Sequence, residues 1–214
     1  MKRIFLPVGL AAVLCATSVL ATTHDHFNRA NLGPHWVVPA GSLFITSDRL
    51  QGASLSLGYD VLSSSDTTVR ATVYTTGTDL EYGAVASGDI AGGNNAFVKI
   101  QAQTATGNFS NGAFYMGNNS GTEFFALTSE VPSPARLSVS FCGTVATMTI
   151  TSAAPTQVYN FDYGASFGTG GGLGTYGSVA LDNYQSKPGG CSFDQRGTWI
   201  KHGSSTVRDL SLSK

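Results

Sequence analysis

Apolar and polar residues alternate in short runs along this chain. Val69, Ala71 and Val73 share one side of a segment whose other side carries Arg70 and Thr72. Ala96, Val98, Ile100 and Ala102 line one side of a second run, opposite Lys99, Gln101 and Gln103. Leu137, Val139 and Phe141 alternate with Ser138 and Ser140, and Ala146, Met148 and Ile150 with Thr147 and Thr149. Leu43-Phe44-Ile45 and the segment after Asp48-Arg49-Leu50 predict two further strands around a polar turn. A period of two with one polar face predicts antiparallel strands packed on one side and wet on the other. Two such sheets placed face to face give an all-β, antiparallel two-sheet β-sandwich.

The punctuation between runs agrees. Gly92-Gly93-Asn94-Asn95 and Gly117-Asn118-Asn119-Ser120-Gly121 supply residues that tolerate positive φ between strands. Val131-Pro132-Ser133-Pro134 cannot continue a central strand and reads as the loop before Leu137. Composition narrows the class further. Of 214 residues 26 are Gly and only 12% are charged, which disfavours helical bundles, while 42% hydrophobic residues suffice for a packed core. A formal charge of −1 offers no electrostatic footprint for nucleic acid.

Residues 1–21 read as a signal peptide: Met1-Lys2-Arg3, an apolar run from Ile4 to Leu14, then Val19 and Ala21 at cleavage positions −3 and −1. The run is shorter than the ~20 residues of a membrane span, so the expectation is a secreted or extracellular protein with residues 22–214 as a single domain. Cleavage removes two of twelve basic residues and none of thirteen acidic ones, leaving a charge near −3. It also leaves two cysteines, Cys142 and Cys191, expected to form a disulfide in an oxidising compartment; two free buried thiols are the alternative.

Asp25-His26-Phe27-Asn28-Arg29 leads to Leu32-Gly33-Pro34-His35-Trp36 and then to Gly41-Ser42-Leu43-Phe44-Ile45. This order resembles the opening of bacterial laminin-G-like and concanavalin A-like jelly-roll domains, with Asp48 where their turn has Gly. Gly172-Leu173-Gly174-Thr175-Tyr176-Gly177 and Val179-Ala180-Leu181-Asp182-Asn183-Tyr184 are similar to their closing strands, and Phe97-Val98-Lys99-Ile100-Gln101 to a middle one. The resemblance implies that first and last strands pair, bringing Asp25 near Asp182 and Asn183. Those oxygens could join a Ca²⁺ site or simply cap turns. It also implies that Trp36 is buried.

Sandwiches of this kind that cleave β-glucans carry carboxylates on alternate residues of one strand. Glu81, Glu123 and Glu130 show no such pattern, and Asp79-Leu80-Glu81 reads as an acidic turn or, in the enzyme reading (glycoside hydrolase or polysaccharide lyase), an atypical site. Gly164-Ala165-Ser166-Phe167-Gly168 matches a hydrolase elbow in letters, but the glycines after it cannot start the required helix. A non-catalytic domain that binds an extracellular polysaccharide or glycan fits better. Candidate ligand-binding residues are Tyr115 and Trp199, with Gln101, Gln103 and Asn118 as polar neighbours. A structural surface or matrix protein is the third reading.

Overall fold

Period-two alternation becomes two facing sheets in a computed structural model, which describes residues 22–61, 67–75, 81–87, 96–102, 106–116, 121–166, 170–188 and 196–201. Sheet A runs, in spatial order, β16 (Thr198–Trp199), β13 (Gln157–Asp162), β12 (Val145–Thr151), β11 (Ala135–Cys142), β6 (Thr67–Tyr74), β15 (Ala180–Pro188), β4 (Arg49–Gly52) and β3 (Leu43–Thr46). β1 (Thr23–Asp25) also pairs with β15. Sheet B runs β10 (Gly121–Val131), β9 (Phe109–Met116), β8 (Ala96–Ala102), β7 (Glu81–Ser87), β14 (Gly171–Tyr176), β5 (Ser56–Asp60) and β2 (Trp36–Ala40). Only β13 and β16 pair in parallel among the described strands.

The alternating faces meet between the sheets. Val69, Val139 and Met148 lie in one cross-strand row of sheet A, and Ala71, Leu137 and Ile150 in the next. All six are buried, and so are Ala96, Val98, Ile100 and Ala102 of β8 in sheet B. Burying each Val, Leu or Ile side chain contributes about 1.5–3 kcal/mol, so these rows fix the register. At the β9–β10 end the core is aromatic: Phe114 stacks on Phe125 and Phe161 at 5.4 and 5.2 Å between ring centroids. Gly112 makes room there, since a Cβ would collide with the Phe125 ring.

One polar side differs from the sequence expectation. Thr147 points away from the Met148 row, as alternation requires, yet it is buried and its hydroxyl donates to Asn160 Oδ1 at 2.7 Å. The hydrogen bond offsets the desolvation that a wet face would have spared it. The proline segment does interrupt strands: β10 ends at Val131 and β11 begins at Ala135, with a cis bond between Ser133 and Pro134.

The first strand pairs with β15, the strand before the short β16, and sets Asp25 opposite Tyr184. β15 gives β4 its early residues and β1 its later ones, and between them its ladder to β6 is irregular from Asp182 to Gln185. Asn183, in that gap, takes a left-handed φ of 53°, a region Asn tolerates better than most residues.

Candidate functional site: a groove across the outer face of sheet B

Because Val98 and Ile100 face the core, Phe97, Lys99 and Gln101 must face outward. Strand register then sets their neighbours. The row through Lys99 reads Phe124, Ala113, Lys99, Ala84, Gly174, Leu57 and Ala40, one residue from each of the seven strands. Apart from Lys99, the row is small or absent in side chain from Ala113 to Gly174, so it sinks. The flanking rows are tall: Tyr115 beside Phe97 on one side, Gln101 beside Tyr82 and Tyr176 on the other. The result is a cleft of about 470 Å³ that touches all seven strands. Six inter-strand steps of ~4.8 Å give it a length of about 29 Å.

Its walls are ordered aromatic pairs. Tyr82 and Tyr176 stack with centroids 5.2 Å apart and planes within 10°. Phe97 and Tyr115 lie 5.6 Å apart, tilted by 49°. Between the walls, the Lys99 ammonium stands 4.2 Å from the Tyr82 ring centre and 4.9 Å from that of Phe124. Among the described residues it has no ion pair or hydrogen bond. Burial favours its neutral form and draws its pKa from 10.5 to about 8. The Tyr82 phenol is pushed up to about 12, by burial first and by Tyr176 and Tyr115 second. No carboxylate lines the cleft among the described residues.

The sequence-predicted ligand residues divide. Tyr115 forms part of the wall, and Gln101 lies on the same outer face, opposite Tyr82 on the neighbouring strand. Trp199 is 45% exposed but sits on β16, at the far edge of the other sheet, so no single ligand site joins it to Tyr115. Gln103 and Asn118 lie outside the described residues, as does Asp79; Glu81 opens β7, its side chain outside them too. Sequence reading did not single out Lys99, Phe97 or Phe124. The signal available was a lone cation in an alternating strand whose outward positions are otherwise aromatic and amide.

Asp25, Asp182 and Asn183 come together differently from the cation arrangement. Asp25 is buried and accepts hydrogen bonds from Phe27 N–H and Trp36 Nε1, both at 2.8 Å, while the Arg29 guanidinium grips both its oxygens. Burial would raise its pKa, but Arg29, Phe27 and Trp36 together hold the carboxyl below its ordinary value. Asn183 instead takes a hydrogen-bond contact from the His26 ring at 2.9 Å, and its own N–H donates to Asp182. With Arg29 already on Asp25, this donor set does not fit a hard divalent ion, which wants six to eight free oxygens. Among the described residues no cluster of three His, Cys, Asp or Glu could hold a metal.

Trp36 is buried against Phe27 and Tyr184, with ring centroids 5.8 and 4.9 Å away. Cys142 ends β11 and is disulfide-bonded, whereas Cys191 lies outside the described residues. Gly164–Ser166 is an exposed bend, Asp162 accepting from Gly164 N–H at 2.9 Å; Phe167 and Gly168 lie outside the described residues. A second cleft, about 460 Å³, lies between the end of β10 and β13. Its polar lining is partly spent on internal bonds, including Gln157 Nε2 to Ser129 O at 3.0 Å and Gln157 Oε1 to Thr128 N–H at 3.0 Å.

No protein-family model and no curated protein matches the sequence. Among solved structures the chain is similar to the carbohydrate-binding module CBM66 from Bacillus subtilis, at 14% identity and a TM-score of 0.50 over 72% of this chain and 95% of that one. It is also similar to a Bacillus licheniformis β-glucanase, at 9% identity and a TM-score of 0.55 over 79% and 98%. The exoplasmic/lumenal domain of VIP36, in its Ca²⁺/Man2-bound form, matches at 10% identity and a TM-score of 0.54 over 81% and 90%. At such identities the likeness is one of fold, and it agrees with the two-sheet sandwich above. The chain folds as a concanavalin A-like jelly roll.

Proposed function

We propose that this chain is a secreted, non-catalytic module that binds a polysaccharide in the groove across sheet B. The observation that carries this reading is the sunken row from Ala113 to Gly174 between aromatic walls. Sugar rings present apolar faces that stack on aromatic rings and hydroxyls that need amide or phenol partners. Tyr82, Tyr115 and Phe97 offer the first, while Gln101 and the tyrosine hydroxyls offer the second. A trough about 29 Å long suits a chain of sugars rather than a single ring. Three fold neighbours are, by their descriptions, a carbohydrate-binding module, a β-glucanase and a Man2-bound domain, which supports the same class of ligand. The apolar N-terminal run and the disulfide-bonded state of Cys142 accord with export.

The test is retention of the full chain on immobilised polysaccharides, with Tyr82→Ala and Phe97→Ala as groove variants and Trp199→Ala as the remote one. Each groove substitution should weaken binding about tenfold, in line with losing one stacking aromatic, while Trp199→Ala should leave it intact. Failure of every polysaccharide to retain the chain, or loss of binding only in Trp199→Ala, would overturn the assignment.

A further inference from the structure

Among the described residues the groove holds one charged group, and it is a cation. Lys99 rises from the middle of the sunken row, with the small Ala113 and Ala84 as its strand neighbours, so only the flanking aromatic rings crowd it. Its ammonium touches two aromatic rings and, among the described residues, no carboxylate. Cation–π contact returns part of the solvation that burial removes, but an anion would return far more. A glycan lying in the trough places the substituents of its ring edges against the floor, where Lys99 waits.

We infer that the polysaccharide is an acidic one whose uronate carboxylate pairs with Lys99, an inference that rests on the groove being the glycan site. A carboxylate, rather than a sulfate ester, matches the donors present. One carboxylate oxygen meets the ammonium, and the other can reach an amide N–H of Gln101 or Asn111, which face outward one step along their strands and directly oppose each other. A sulfate would bring three oxygens to a floor whose remaining residues are alanine, glycine, leucine and phenylalanine. The lowered pKa of Lys99 adds a consequence: its charge, and with it affinity for the anion, should fade as pH rises past about 8. Tyr82, on the same face, is pushed up to about 12 and stays neutral through that range.

The experiment is calorimetric titration of the full chain with polygalacturonate and alginate, dextran sulfate, and neutral dextran and laminarin, repeated with Lys99→Met and Lys99→Arg. Polyuronate binding that falls at least about tenfold in Lys99→Met and returns in Lys99→Arg supports the inference. Equal binding of neutral glucans by the native chain and Lys99→Met overturns the acidic ligand and leaves the groove reading standing. Binding of dextran sulfate alone overturns the carboxylate. Binding of none of these overturns this inference, and a wider failure on immobilised polysaccharides would take the groove with it. Melting curves of both variants show whether any loss reflects unfolding instead, and Lys99→Arg, which keeps the charge, must then decide.

Discussion

The Nζ of Lys99 lies 4.2 Å from the centre of the Tyr82 ring, and the two groups are shifted in ways that oppose each other as pH rises. Lys99, brought down to about 8 by burial, sheds its proton in the folded protein while the unfolded chain still holds it up to about 10.5. Between these values the unfolded state binds more protons, so stability rises with pH. Tyr82, brought up to about 12, keeps its proton when folded beyond the point where the unfolded phenol ionises, so stability falls above about 10.

Lys99→Met should therefore be more stable than the native chain at pH 7 by about 1–2 kcal/mol, after discounting for the part of the side chain that stays wet. It should also lose the rise between pH 8 and 10. Urea unfolding at pH 7, 8, 9 and 10 measures both. An unchanged pH slope in the variant would show that Lys99 is not the group responsible.

Asp25, on the other sheet, carries the opposite kind of burden. Its carboxyl is held below its ordinary value, so its contribution is present above pH 4 and is lost as pH falls through the folded-state value. Arg29→Ala leaves a side chain only 2% exposed without its cation, while Arg29 itself is 35% exposed. The expected cost is about 2 kcal/mol, below that of breaking a fully buried pair. Asp25→Asn should blunt the loss of stability below pH 4. Asp25→Asn should not alter how the melting temperature responds to calcium or EDTA, because Arg29 already neutralises this carboxylate; a calcium-dependent rise that Asp25→Asn abolishes would contradict this account.

Asp60 shows what a buried carboxyl does without such a partner. Burial, its largest influence, raises its pKa, with Thr23 and His35 opposing and Asp25 assisting. Its Oδ2 has no hydrogen-bond partner among the described residues, and the hydroxyls of Tyr184 and Ser186 lie nearby. A Cβ on Gly171, the strand partner of Asp60, would lie 2.8 and 2.7 Å from those hydroxyl oxygens. Here stability is present at pH below 3.8 and declines as pH rises through the folded-state value. Asp60→Asn should remove that decline at a cost within about 1 kcal/mol, because the amide resembles the neutral acid in shape. Acid-to-neutral denaturation curves of the two proteins should converge at low pH and separate above it.

Much of the core was legible because alternation is local: Val69 to Val73 or Leu137 to Phe141 reveals which face is buried without knowledge of any partner. The groove was less legible because it depends on register. That Lys99 stands level with Ala84, Gly174 and Phe124 follows from four strand pairings, one of them between the distant β7 and β14, and none encoded in the run around Lys99. For the same reason Tyr115 and Trp199 looked alike in sequence, each aromatic and flanked by polar or glycine-rich residues, yet they belong to opposite sheets. Asp25 misled for a related cause: the pairing of β1 with β15 was foreseeable, but the return of Arg29 and Trp36 onto its carboxylate was not.

Cys142, at the end of a core strand, ties that strand to a segment beyond β15 if its partner is Cys191. Closing a loop of ~50 residues should contribute about 4 kcal/mol through the unfolded state. Mass spectrometry of the non-reduced protein should recover the Cys142–Cys191 peptide pair, and the double Ser variant should lose roughly that stability while keeping the fold. Recovery of both cysteines as free thiols from the native protein would overturn the pairing.

Two glycines on sheet B separate packing from function. At Gly112 an added methyl collides with the Phe125 ring, which is itself stacked on Phe114 and cannot swing away. Gly112→Ala should therefore destabilise by about 1–3 kcal/mol, the usual range for overpacking. Gly174 lies on the groove floor, where a Cβ meets Ala84 Cβ at 3.4 Å and Ser56 O at 3.5 Å, ordinary contacts. Gly174→Ala should leave stability unchanged or slightly raised, since a strand residue gains from losing glycine's unfolded-state freedom. It also lifts the floor by a methyl group exactly where a sugar ring would rest, and glycan affinity should fall several-fold with no change in melting temperature. A larger residue, as in Gly174→Leu, should extend the effect to near-complete loss. Full affinity in both variants would mean that the ligand does not reach the row between Lys99 and Leu57.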